Sequence, residues 1–109
     1  MNIEFIKYDL NEEYYNIQID NEYAGTFRIY KNPDFTYDNI KLYNFLGYIL
    51  INKPYRQHGI LTKIINDFNI KTLMVDNIDD IPKSTLISIY THLGFKFLPN
   101  SNSFMIKIN

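Results

Sequence analysis

The chain has 109 residues, 46% of them hydrophobic and 21% charged, with a formal net charge of -1 and no cysteine. That length supports one domain around a single core, the composition excludes a disordered chain, and the lack of cysteine excludes disulfides and thiolate metal sites. A charge so near zero gives no general field for nucleic acid, and no run of Lys and Arg supplies a local patch.

No apolar stretch reaches the roughly 18 residues that a membrane helix needs. Glu4, Lys7 and Asp9 put charges into the first ten residues, which speaks against a signal peptide or anchor. The reading expects a cytoplasmic protein with no membrane partner.

In chain order, Asn2 to Tyr8 can form a first strand. Tyr15 to Asp20 alternates with period two and is answered by Ala24 to Tyr30, a hairpin with Asn21 and Glu22 at its turn. Gly25 inside the second strand predicts a bulge or a close backbone approach. Lys31 to Asn39 carries the Pro, Asp and Asn of a loop. Leu42 to Ile51 is a near-continuous apolar run, read as a strand buried on both faces.

After Gly59 the apolar positions Ile60, Leu61, Ile64, Ile65 and Phe68 mark one face of a helix that ends near Asn69. Thr72 to Asp76 reads as a short buried strand. Asp79 or Asp80 can cap a second helix, with Pro82 in its first turn and Leu86, Ile89, Tyr90 and Leu93 inward, stopped by Gly94. Two strands, FKFL and SFMIKI, close the chain. A strand, helix, strand order in the middle implies a parallel pair in an otherwise antiparallel sheet. The fold class expected is α/β (α+β), a single domain over residues 1–109 with two main helices.

The glycine at the strand-to-helix junction, in PYRQHGILTK, raises the question of a phosphate loop. A Walker loop needs two glycines and Lys-Ser or Lys-Thr, and a dinucleotide fingerprint needs three spaced glycines; this segment supplies neither. Arg56, Gly59 and Leu61 resemble motif A of the GCN5-related N-acetyltransferases (GNAT), whose pattern is Arg or Gln, two residues, Gly, one residue, then Gly or Ala. Downstream, Tyr90, Leu93, Gly94 and Phe95 resemble that family's other signature. The resemblance covers the chain from about Tyr14 to its end and is to a minimal version, similar to small phage-type members.

The resemblance implies acetyl-coenzyme A as cofactor, in a cleft where the Leu42 to Ile51 and Thr72 to Asp76 strands diverge. It assigns the cofactor to Ile49 and Ile51 on the strand and to Arg56, Gln57, His58, Gly59, Ile60, Leu61 and Thr62 on the loop and helix start. Backbone N–H groups with a helix dipole behind them suit a pyrophosphate. Tyr90 would be the acid that protonates the departing thiolate.

The departures are specific. Leu61 stands where the family prefers a small residue, Lys83 replaces its usual asparagine and Leu86 its usual alanine. About ten residues separate the first strands, where the family places two helices. YILIN holds no carboxylate, so a base would be remote, such as Asp76 or Glu22 through water, unless the acceptor arrives neutral.

Plainer alternatives stand beside these roles: Arg56 as a solvated loop charge, Gly59 as a helix-entry turn, Tyr90 as a core tyrosine, Asp79 and Asp80 as caps. His58 and His92 read as exposed, and two histidines without cysteine make a poor metal site. The function expected is acetyl transfer to an amine, on a protein. The alternative is an inactive protein of the same fold that binds and inhibits a macromolecular partner. A homodimer paired through the terminal hairpin is a third reading.

Overall fold

Two Asp-Asn pairs shape the first half of the molecule. A computed structural model describes residues 1–8, 13–31, 36–56, 59–76, 78 and 80–108. Strands β1 (Ile3–Lys7), β2 (Tyr14–Ile19) and β3 (Glu22–Tyr30) form an antiparallel meander. Asp20 and Asn21 are the two loop residues between β2 and β3, with φ of 51° and 70°. Two successive left-handed residues match the right-handed twist of a hairpin, and Asn and Asp tolerate that conformation. The turn therefore lies one residue before the position read from the sequence.

The same chemistry recurs at Asp38 and Asn39, with φ of 50° and 66°. They join β4 (Thr36–Tyr37) to β5 (Ile40–Lys41), a two-stranded hairpin inside what the sequence suggested was a loop.

Ile17 faces Gly25 while Gln18 faces Tyr23, which leaves Ala24 as the extra residue of a bulge. The expected irregularity beside Gly25 is present. Strand β6 (Phe45–Ile51) is shorter than the apolar run suggested. Leu42 is buried but lies outside it, because Asn44 adopts φ 47° and breaks the strand. Burial on both faces holds for Phe45 to Gly47, whereas Tyr48 is exposed.

Helix α1 (Ile60–Asp67) crosses from β6 to β7 (Thr72–Met74), and α2 (Lys83–His92) leads to β8 (Phe95–Phe97) and β9 (Phe104–Lys107). The strand order is β1-β2-β3-β6-β7-β9-β8. β6 and β7 are parallel and the other pairs antiparallel, so the fold is the α+β class expected, with a central parallel pair.

Helix α2 begins at Lys83 behind Pro82, with no side-chain cap. Asp80 does not cap it, since its carboxylate bonds Arg56 instead; Asp79 lies outside the described residues. Gly94 follows the helix at φ 97° as expected.

Side chains alternate across the sheet, so Leu46 and Phe45 serve different cores. Leu46 joins the main core, with Ile17, Phe27, Leu73 and Met105 from the strands, Ile64 and Ile65 from α1, and Leu86 and Tyr90 from α2. Phe45 joins Leu42 and Leu98 in a smaller cluster that also packs Tyr37 from the β4–β5 hairpin and Phe104. Tyr15 stacks on Phe27 with centroids 5.1 Å apart, and Phe68 at the end of α1 meets both rings. Such contacts add about 0.5–1.5 kcal/mol per pair beyond area burial. They hold α1 against the sheet and so fix where its other end points.

Candidate functional site

Strands β6 and β7 pair through only two positions, Phe45 with Thr72 and Leu46 with Leu73. Beyond them β6 runs on for five residues, Gly47 to Ile51, while β7 ends at Met74 and the chain stays with β9, the Val75 N–H donating to the Ser103 carbonyl at 2.7 Å. Phe27 faces Ile49 and Ile29 faces Leu46, so β6 carries one extra residue at the point of separation. A bulge bends a strand and increases its twist. The parallel pair thus splays apart at the end where α1 begins.

A cavity of about 340 Å³ lies at this end. One wall is Ile51, Tyr55 and Arg56 with the start of α1, Gly59 to Thr62. The other is Ile78, Ile81 and the face of α2 that carries Thr85, Leu86 and Ile89. The lining is mostly aliphatic with a few polar groups, Tyr55, Arg56 and Thr62 on one wall and Thr85 on the other, the usual composition of a small-molecule site.

Gly59 is the N-cap of α1, at φ 74° and ψ 15°. A β-carbon there would meet nothing within 4 Å, so the left-handed backbone, not crowding, calls for glycine. The first bond of the helix runs from the Lys63 N–H to the Gly59 carbonyl at 3.0 Å. The N–H groups of Ile60, Leu61 and Thr62 have no partner inside the helix, and no side chain among the described residues caps them. They present three donors with the positive end of the helix dipole behind them.

Arg56 is held at both ends of its guanidinium. Its Nε–H donates to the Ile51 carbonyl at 2.9 Å and its Nη2 donates to Asp80 Oδ1 at 2.6 Å. It is therefore not a solvated loop charge. Its hydrogen bond holds the Asp80 carboxyl below the usual carboxylate range. Next to it, Tyr55 donates its hydroxyl to Glu22 Oε2 at 2.8 Å, and this bond, with a smaller effect of burial, raises the phenol above its ordinary value.

Six of the residues expected to hold the cofactor line the cavity: Ile51, Arg56, Gly59, Ile60, Leu61 and Thr62. Ile49 is buried in the core nearby and is not on the wall. Gln57 and His58 lie outside the described residues. Leu61 is half-buried and turned partly into the core, which is how the loop accommodates it.

Tyr90 is fully buried in the main core, with its ring 6.0 Å from Phe95, and it does not line the cavity. Of the two remote carboxylates, Glu22 accepts from Tyr55, which is on the wall, and Asp76 lies 3.6 Å from Lys83. His92 is exposed. Among the described residues, no three His, Cys, Asp or Glu side chains converge as metal ligands, and no helix is long and apolar enough to cross a membrane.

Sequence reasoning missed the far wall. Ile78 and Ile81 flank two aspartates, a pattern that reads as a polar helix entry, and only the tertiary fold turns them toward α1. Asp80 was missed as a partner of Arg56 because 24 residues separate them. No protein-family model and no curated protein matches the sequence.

Proposed function

We propose that the protein is a minimal N-acetyltransferase of the GCN5-related type, which takes acetyl-coenzyme A and acetylates an amine on a protein. The observation that carries this reading is the separation of β6 from β7 after two paired positions, next to a cavity lined by the first turn of α1, whose N–H groups no side chain among the described residues caps. The residues fit the cofactor. Ile60, Leu61 and Thr62 would hold the pyrophosphate through their N–H groups, and the aliphatic walls suit the pantetheine arm. Ile49 and Ile51 belong to the stretch of β6 that β7 leaves unpaired, where main-chain groups suit the arm's amides. When bound, acetyl-coenzyme A supplies an activated thioester carbonyl.

The chain's own residues then have two tasks. Glu22, through Tyr55 at the wall, or Asp76 through water, would take the proton that leaves the amine. The resemblance would have Tyr90 protonate the departing thiolate, which requires its buried hydroxyl to reach the cavity, whereas Tyr55 is the phenol already on the wall.

A second reading, a protein of the same fold that binds and inhibits a macromolecule without turnover, is favoured by one observation: among the described residues no carboxylate lines the cavity and Tyr90 does not reach its wall.

Two measurements test the proposal. Acetyl-coenzyme A at a hundredfold excess over its dissociation constant should stabilise the fold by about 2.7 kcal/mol, and a flat melting temperature across a millimolar titration would rule the cofactor out. Release of free thiol in the presence of protein acceptors separates the two readings. Gly59→Val should abolish cofactor binding, because valine drives the backbone out of the left-handed region that aims the N–H groups.

A further inference from the structure

We propose that Asp80 is a built-in competitor for the anionic end of the ligand: its carboxylate occupies the Arg56 guanidinium that a polyanion meets at the cavity mouth, and so sets the affinity for phosphate-bearing ligands. This inference rests on the acyl-coenzyme A reading of the cavity and goes beyond it by naming what limits that site.

The geometry has three parts. The bond from Arg56 Nε to the Ile51 carbonyl fixes the guanidinium against the end of β6, on the cavity wall. Its other side is taken by Asp80 at 2.6 Å, and the carboxylate is the outer member of the pair, 45% exposed against 20% for the arginine. A ligand arriving from solvent therefore meets the acid before the base. Two other lysines of the helices are engaged by acids, Lys63 with Asp67 at 2.8 Å and Lys83 with Asp76 at 3.6 Å, while Lys53 adds a positive charge close enough to act on Asp80. Asp80 is the acid whose partner is on the wall.

The exchange is energetically accessible. A solvent-exposed ion pair is worth little, so a doubly charged phosphate that forms shorter, charge-assisted bonds can displace the carboxylate. A neutral ligand cannot, and gains nothing from Asp80 leaving. Asp80 thereby favours polyanionic ligands over uncharged ones of the same shape, at the expense of absolute affinity.

Asp80→Asn tests this, since it keeps the shape and one oxygen acceptor for Arg56 and removes only the charge. Calorimetric titration at low salt should show acetyl-coenzyme A and inorganic pyrophosphate binding about two- to fivefold tighter to the variant than to the parent. That gain should vanish near 1 M salt, where the screening length falls to about 3 Å. Acetylpantetheine, which carries the thioester arm without phosphates, should bind both forms equally, and Asp80→Glu should behave as the parent. If Asp80 were instead a brace for the cavity wall, Asp80→Asn would weaken acetyl-coenzyme A and acetylpantetheine alike, and the proposal would fall. Equal affinities of parent and variant for both phosphate ligands would also overturn it. Pyrophosphate binding that tightens in the variant, with no binding of acetyl-coenzyme A to either form, would remove the acyl-coenzyme A reading while leaving Asp80 as the competitor.

Discussion

Gly25 lies so close to Leu50 that a β-carbon built on it would be 2.0 Å from the Leu50 carbonyl oxygen. The obstacle is backbone, which cannot rotate away as a side chain can. Gly25 is paired with Ile51, and the Asn52 N–H donates to the Ala24 carbonyl at 2.8 Å, so the contact fixes how β3 lies on the end of β6 that leads to the cavity. Gly25→Ala should destabilise the fold by about 3 kcal/mol, at the upper end of overpacking costs. Urea denaturation measures it. A loss below about 1 kcal/mol would mean that β3 and β6 can part without cost, and the cavity wall would not depend on this contact.

What the sequence reveals here follows from how local each signal is. The β2–β3 hairpin, Gly25, the stripe of α1 and the stop at Gly94 all depend on residues within a few positions of one another, and all were legible. The second Asp-Asn turn carried the same local signal but was hidden by the Pro and Asp before it, which read as loop. The break at Asn44 was masked by apolar neighbours that are buried for a different reason, Leu42 belonging to the second cluster and not to the strand. The cavity was half legible: its loop wall has a linear pattern, while the wall made by Ile78, Ile81 and Ile89 and the Arg56 to Asp80 pair exist only once α2 is docked. Helical spacing placed Tyr90 on the inward face of α2 but could not say whether inward meant cavity or core.

Glu13 gives the fold an acid-sensitive tie. Its carboxylate receives bonds from Lys31 and from Tyr15, with Lys7 at 3.1 Å, and these hold it at about 2 against an ordinary 4.5. A carboxyl whose folded pKa is depressed contributes stability above its unfolded value, and that contribution is lost as pH falls from about 4.5 toward 2. Tyr15 titrates the other way: burial first, then Glu13, pushes its phenol up to about 12. Its contribution is complete below pH 10 and lost as pH rises from 10 to 12. Glu13→Gln should therefore flatten the acid limb of a stability-against-pH curve and shorten the alkaline shift. Identical acid limbs for parent and variant, followed by denaturant midpoints at constant ionic strength, would show that the unfolded chain ties Glu13 equally well.

Tyr90 separates catalysis from packing. Tyr90→Phe keeps the ring that fills the core beside Phe95 and removes only the hydroxyl. Folding and affinity for acetyl-coenzyme A should survive, while turnover falls by about 10²-fold, the lower end of the range for a lost proton donor. Tyr90→Ala, by contrast, empties a fully buried site and should cost about 3–5 kcal/mol of stability. Unchanged turnover in the phenylalanine variant would make Tyr90 a core residue alone and move the acid to Tyr55, the phenol on the cavity wall.

On the proposed function, the acceptor side is set by how β1 joins β2. The two strands pair directly from Ile3 with Ile19 to Lys7 with Tyr15, and the Tyr8 N–H donates to the Tyr14 carbonyl at 3.2 Å. The chain between Tyr8 and Tyr14 is thus too short for two helices, each of which needs about eight residues and a connection. Among the described residues, the only helical turn before α1 is the short one at Lys53–Tyr55. Without helices over this side, a small amine finds few walls with which to bury its surface, whereas a protein brings its own contact area. Small amines such as spermidine or aminoglycosides should react with kcat/KM well below the common enzyme range of about 10⁴ M⁻¹s⁻¹, and lysine or N-terminal amines on proteins should react better. The competing outcome is a pocket rebuilt by the segment from Lys31 to Asn39 or by a second subunit. Steady-state assays over a panel of small amines distinguish them: any member that reaches 10⁴ M⁻¹s⁻¹ or above would show that the acceptor side is enclosed, and the protein substrate would have to be given up.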